Sequence, residues 1–306
     1  MINCRKISLT LIDKTVLHGL CWQKDEQDKE LKGNIIILTG MEEHSSRYDD
    51  FAAFLVENHY NVYCIDHYGQ GENVEKDLSN RGIWPTSGFR KMVVATDALV
   101  AKLRASLLPI YIFSHSMGSF MAQEYMQRYS GHVSKVVLCG SGAKNPAAGI
   151  GFRLARLVVT KNNRYSDAKI LKKLMFGGFN KKIENPRTEY DWLSVNTENV
   201  DKYIADPLCG GPTKNCLCYE LLKGLKRLYR TKFLKRLDPN VNIFIISGSE
   251  DPVTNYGKSV ETLTNMYKKY GVNNVEGKVY EGYRHEILNE DIKEEVYKDV
   301  LEFFNK

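Results

Sequence analysis

The fold class predicted by this sequence is α/β: a mostly parallel central sheet flanked by helices, with an inserted helical cap. Three observations predict it. Short apolar runs alternate with helical patterns along most of the 306 residues, as repeated strand–helix units of a parallel sheet do. The alternation stops over residues 144–236, which read as helical with no clear strand. One apolar strand, at 109–113, runs straight into the serine-containing turn SHSMGS and then into a helix. The expected division is a core of 1–143 and 237–306 with a helical cap insertion at 144–236.

The elements follow in order. Ile7, Leu9 and Leu11 alternate with polar residues, so 5–12 reads as a half-buried strand with a hairpin partner at 15–22. Residues 34–39 (NIIILT) form a continuous buried-strand run, 47–58 a helix, and 61–66 (NVYCID) the next strand. A helix is expected at 89–106, with Met92, Val93, Leu99 and Leu103 on its apolar face. The strand at 109–113, a helix at 117–129 and a strand at 133–139 complete the first part. Alternation resumes with strands at 241–246 and 276–280 and helices at 256–270 and 291–304.

The chemistry is concentrated at 109–118 (PIYIFSHSMG). Strand, sharp turn and helix in immediate succession are the context of a nucleophile elbow, which lifts the serine hydroxyl, here Ser116, above the sheet. Small residues are needed two before and two after it, where strand and helix backbones pass close together. Gly118 meets the second requirement, and Ser114 stands where glycine is usual. A serine hydroxyl needs a base, and the base needs a carboxylate to orient it. Behind an elbow of this kind the acid comes next in the chain and the histidine last. His285 follows the last strand and Asp251 follows the strand at 241–246, both at carboxyl ends of strands, where open α/β sheets build their sites. Glu250 is the competing acid. The Asp251-Pro252 pair favours a turn that re-aims the aspartate. His18, His59 and His132 sit less well. His115 neighbours the nucleophile but faces the wrong way for a base, and is expected to pack or line the pocket. The oxyanion needs preorganised donors. They are expected to be the backbone N–H groups of Met117, after the nucleophile, and of Met41, in the loop after the strand at 34–39.

With these residues placed, the chain resembles the serine α/β-hydrolases, and specifically the monoacylglycerol lipase and lysophospholipase group, over roughly residues 30–304. The segments that carry the resemblance are TGMEEHSSRY at 39–48, DHYGQG at 66–71, SHSMGS at 114–119, YIADPLCG at 203–210, GSEDPV at 248–253 and YRHEILN at 283–289. It implies an α/β-hydrolase fold, a triad of Ser116, Asp251 and His285, and a helical cap over an acyl pocket. The chain departs from the group in having Thr39-Gly40 where His-Gly is usual, and in Ser114.

The net charge of +6 conceals an asymmetry: residues 144–240 hold 20 Lys and Arg against 9 Asp and Glu. The stretch 219–237 (YELLKGLKRLYRTKFLKRL) is basic and amphipathic. That pattern is first that of a cap helix packed on the core with its lysines in water, and it also fits peripheral contact with a membrane surface. No motif or aromatic-laced basic stripe supports nucleic-acid binding. The cysteines Cys209, Cys216 and Cys218 have poor metal spacing and no histidine nearby in sequence. GQG at 69–71 is an incomplete dinucleotide fingerprint. No metal or cofactor is therefore expected. The seven cysteines and the lack of a signal-like apolar start favour a reduced, cytoplasmic setting. The expected function is hydrolysis of a fatty acyl ester, such as a monoacylglycerol or lysophospholipid, through an acyl-enzyme on Ser116. The alternatives are a peptidase, thioesterase or acyltransferase, or a non-catalytic binding protein on the same fold.

Overall fold

The sheet starts with β1 (Ile2–Thr10) and β2 (Val16–Lys24), an antiparallel hairpin in which Leu9 faces Leu17. The computed structural model describes residues 2–25 and 29–306. β3 (Gly33–Leu38), β4 (Tyr60–Ile65), β5 (Ile110–His115), β6 (Lys135–Cys139), β7 (Asn242–Gly248) and β8 (Asn274–Tyr280) follow. The eight strands lie in the order β1-β2-β4-β3-β5-β6-β7-β8. All pairings from β4 to β8 are parallel.

Both faces of the sheet are covered, which is why β3 and β5 are continuous buried runs. Successive side chains of β3 go to opposite faces. Ile36 and Leu38 join the core under α2 (Gly88–Leu103), α3 (Met117–Arg128) and α9 (Lys258–Lys269). Ile35 and Ile37 meet Phe51, Leu55, Tyr297 and Phe303 from α1 (Asp49–Glu57) and α10 (Lys293–Asn305). Each fully buried Ile or Leu contributes roughly 1.5–3 kcal/mol, so the two-sided core fixes the register of the strands.

Between β6 and β7 the chain forms α4 (Pro146–Val158), α5 (Lys169–Phe176), α6 (Thr197–Ala205), α7 (Asn215–Leu228) and the short α8 (Thr231–Leu234). No named strand interrupts them among the described residues. Phe152, Ala155, Leu171, Cys218 and Leu222 give this segment a small core of its own.

Three boundaries differ from expectation for physical reasons. The helix expected at 47–58 begins at Asp49, after a separate 3-10 turn at Ser45–Tyr48. There Asp66 accepts hydrogen bonds from the Ser45 N–H at 2.7 Å and its hydroxyl at 2.8 Å. The helix expected at 89–106 ends in a 3-10 turn at Arg104–Ser106. The basic stretch 219–237 is not one helix. It breaks after Leu228, whose carbonyl accepts from Gln127 Nε2 at 2.9 Å, while the Tyr229 hydroxyl donates to the Gly142 carbonyl at 2.7 Å. Its apolar side is spent inside the protein: Leu221, Leu222, Leu228 and Leu234 are all buried. No helix among the described residues is long and apolar enough to cross a membrane.

Candidate active site

Ser116 sits between β5 and α3 with φ 50° and ψ −119°, a conformation a non-glycine residue avoids. Its N–H donates to the Cys139 carbonyl at 3.0 Å, which ties the turn to the neighbouring strand. The elbow demands glycine at 118, because a Cβ there would overlap the Leu38 carbonyl. Position 114 tolerates serine for a visible reason. Its side chain is fully buried and its hydroxyl donates to the Val137 carbonyl at 2.6 Å, so the extra polar atom is satisfied.

Topology brings the loops after β5, β7 and β8 to the same edge of the sheet. His285 Nδ1 lies 2.9 Å from Asp251 Oδ2, and both residues are buried. The other Asp251 oxygen accepts the Val253 N–H at 2.8 Å, which fixes the carboxylate plane. With Nδ1–H directed at Asp251, His285 Nε2 is left with a lone pair, and this buried atom has no partner inside the protein. Ser116 and His285 line the same cavity. Glu250 points away; its half-exposed carboxylate lies 3.7 Å from Arg284. The remaining histidines are engaged elsewhere: His18 with Ser8, His132 with Asp97 and His59 with Glu30.

Gly40 and Met41 line this cavity as well. A Cβ on Gly40 would come within 3.1 Å of the Ser116 Cβ, so the loop passes directly over the nucleophile. Met117 is the first residue of α3, where backbone N–H groups have no partner in the helix. Both expected oxyanion donors therefore belong to segments that meet at Ser116. The DHYGQG segment supports this loop. Gln70 Nε2 donates to the carbonyls of Gly40 at 3.1 Å and Glu43 at 2.9 Å.

A buried charge cluster behind the loop escaped the sequence reading. One Glu43 carboxylate oxygen accepts the Gly40 N–H, the Tyr48 hydroxyl at 2.8 Å and His115 Nδ1 at 2.9 Å. Arg47 reaches the other Glu43 oxygen at 3.2 Å and grips Glu286 with two bonds, at 2.6 and 2.8 Å. Asn199 of α6 completes it, donating to Glu286 at 2.8 Å. Burial alone would raise the Glu43 carboxyl, but His115 and Arg47 outweigh it and hold it below the ordinary range. Burial alone would likewise lower His115, and Glu43 overrides it to raise the imidazole above its usual value. Arg47 holds Glu286 low in the same way, against its burial. His115 thus packs and lines the pocket as expected, with its ring 4.7 Å from that of His285. The available signal was Glu43 and Arg47 at i, i+4 in the loop that enters the site.

The cavity has a volume of about 460 Å³. Phe176, Trp192 and Leu193 form an apolar wall, and the Trp192 ring stands 5.1 Å from that of His285. Glu42 and the three lysines of α5 also line it. The sequence reading found no histidine near the cysteines. Folding corrects this by setting His44 beside Asp206 and Cys209. His44 Nε2 lies 2.8 Å from Asp206 Oδ2 and Nδ1 2.8 Å from the Ser46 hydroxyl, so the imidazole is already satisfied as a strut between the oxyanion loop and the inserted helices.

The chain is similar to known proteins along most of its length. A monoacylglycerol lipase from Mycolicibacterium smegmatis is 27% identical over 89% of this chain and 88% of its own length. A monoglyceride lipase from Homo sapiens is 26% identical over 86% of this chain and 78% of its own. Among solved structures, a thermostable carboxyl esterase from Bacillus coagulans, in complex with glycerol, superimposes with a TM-score of 0.90 at 25% identity. That match covers 99% of this chain and 98% of the esterase. The family described as serine aminopeptidase, S33, matches residues 29–292. The sheet order, the elbow and this match place the chain in the serine aminopeptidase S33 family, on the α/β-hydrolase fold.

Proposed function

We propose that the protein hydrolyses carboxylic esters of fatty acyl groups, such as monoacylglycerols or lysophospholipids, through an acyl-enzyme on Ser116. The observation that carries this reading is the free, buried Nε2 of a histidine whose other nitrogen is held by Asp251, in one cavity with a serine at a strained elbow. In the acylation step Ser116 Oγ attacks the ester carbonyl and His285 Nε2 takes its proton. The N–H groups of Met41 and Met117 receive the oxyanion, and Asp251 stabilises the imidazolium. His285 then gives the proton to the leaving alcohol. Deacylation repeats the sequence with water. The acyl chain lies along Phe176, Trp192 and Leu193, and the helices from α4 to α8 act as the cap, residues 144–236 in the division of the chain.

The family's description and the relatives' names leave peptide and ester substrates to be distinguished. Lysines at the cavity mouth speak against a substrate presenting a free α-ammonium group, as an aminopeptidase substrate does. Of the carboxylates in the cavity wall, Glu43 and Glu286 are already neutralised by Arg47 and His115. Within 219–237 only the basic side chains are available for contact with a lipid surface, since Leu221, Leu222, Leu228, Leu234 and Leu237 are buried. A turnover panel tests the proposal: p-nitrophenyl esters of increasing chain length, monoacylglycerols, lysophospholipids, acyl thioesters and aminoacyl anilides. Acyl esters are expected to exceed anilides in kcat/KM by at least about 10²-fold, the scale on which a mismatched polar group is rejected. Faster anilide turnover overturns the ester reading.

A further inference from the structure

The inserted helix α5 directs a basic face at the cavity. Lys169, Lys172, Lys173 and Phe176 follow the i, i+3, i+4, i+7 spacing of a single helix face, and all four line the cavity that holds Ser116 and His285. The helix is anchored by Leu171, which is fully buried, and Met175 packs beside it, while Lys169, Ile170, Lys173 and Leu174 are exposed around the cavity entrance.

The charge on that face is not fully used by the protein. Lys172 Nζ lies 3.8 Å from Glu189 and 3.3 Å from the Tyr190 hydroxyl. Lys169 and Lys173 have no carboxylate within salt-bridge distance among the described residues. Four carboxylates face the same cavity, and each is accounted for. Glu43 and Glu286 are matched by His115 and Arg47. Glu42 is bonded to the Thr213 hydroxyl and shares the field of Lys172, while desolvation raises its carboxyl above the ordinary value. Glu189 and Glu42 both face Lys172, which leaves Lys169 and Lys173 without a carboxylate partner among the described residues. The cavity therefore has an apolar, aromatic end beside the nucleophile and a mouth with surplus positive charge.

We propose that this mouth binds the phosphate-bearing head group of the acyl ester, so that the preferred substrate is an anionic acyl glycerophosphate rather than a neutral monoacylglycerol. The inference rests on the ester-hydrolase reading and narrows it. Phe176 and Trp192 take the acyl chain, the carbonyl lies at Ser116, and the phosphate is met by Lys169, Lys172 and Lys173. Hydrolysis breaks the acyl C–O bond, leaves the acyl group first on Ser116 and then on water, and releases a glycerol phosphate intact. No step touches the phosphate.

The test compares decanoyl glycerol 3-phosphate with decanoylglycerol, which differ only in the phosphate. The wild-type protein is expected to favour the phosphate ester in kcat/KM by about tenfold or more, the value of one charge-assisted contact. The double variant K169A/K173A and the single variant K172A are each expected to reduce that ratio about tenfold, with thermal unfolding showing that they fold. The double variant K232A/K235A removes two cap lysines outside the cavity and is expected to leave the ratio unchanged. A wild-type ratio near one, or equal loss in all three variants, overturns the head-group site while the hydrolase reading stands. If neither ester turns over, both fall. Free glycerol 3-phosphate is the third arm. Weak inhibition is expected, and inhibition at the KM of the acylated phosphate would show that the site serves a soluble phosphate instead, which also overturns the proposal.

Discussion

Ser116→Ala lowers kcat for acyl esters by about 10⁶, the scale set by removing the nucleophile of a serine triad. Stability changes by less than about 1 kcal/mol. The side chain projects into the cavity, while the turn itself is held by the Ser116 N–H on Cys139 and by Ser119, which donates from both N–H and hydroxyl to the Ser116 carbonyl. None of these bonds uses the Ser116 hydroxyl. His285→Ala is expected to cost nearly as much, and the double variant little more than either single one, because nucleophile and base act as a unit. Steady-state turnover with a denaturant titration of each variant checks this. Near-wild-type turnover by purified Ser116→Ala removes the acyl-enzyme from the account.

Glu43→Ala has the second largest effect, and on two observables. Glu43 acts through its neighbours. It is a positioning residue that holds the Gly40 N–H, and so the loop that presents Met41, while pairing with buried His115 and Arg47. Breaking a buried pair by removing one partner costs about 3–5 kcal/mol. Misplacing an oxyanion donor by an ångström costs up to about 10² in rate. The expected result is a fall in kcat of about 10–100-fold with KM little changed, and Glu43→Gln falling between wild type and alanine. The stability difference depends on pH with a definite sign. Glu43 and Glu286 have folded values below the ordinary 4.5. Their contribution is present above pH 4.5 and lost as pH falls through the folded values. His115 is raised above its ordinary 6.5. Its contribution is complete below 6.5 and lost as pH rises through the folded value. The gap in unfolding free energy between wild type and Glu43→Gln is therefore widest between those limits and narrows in acid. A gap independent of pH, or a loss confined to KM, contradicts this role.

The strands were legible because two-sided burial leaves a strong signature: NIIILT and PIYIF can hardly be placed anywhere but inside a covered sheet. The candidate triad was legible because the elbow fixes one residue and chain order ranks the others. The Asp-Pro turn favoured Asp251 over Glu250, and in the structure Asp251 is the carboxylate that meets His285 while Glu250 lies beside Arg284. The charge cluster was not legible, since Arg47 and Glu286 lie 239 residues apart and only the fold makes them neighbours. The break at Tyr229 was hidden for the same reason: local helical periodicity continues through it, and a tertiary hydrogen bond to Gly142 overrides it. The basic excess of the insertion was visible at once. Its direction was not: Lys169, Lys172 and Lys173 line the cavity, while the 219–237 stretch uses its leucines to pack.

The central claim is that Ser116, activated by His285 and Asp251, is the nucleophile. Labelling the native protein with a fluorophosphonate, followed by peptide mass mapping, tests it most directly. One adduct per chain on Ser116 is expected, with labelling lost in Ser116→Ala and slowed in His285→Ala. No adduct, or an adduct on another residue with Ser116 unmodified, would contradict the account and leave the cavity as a binding site without this chemistry.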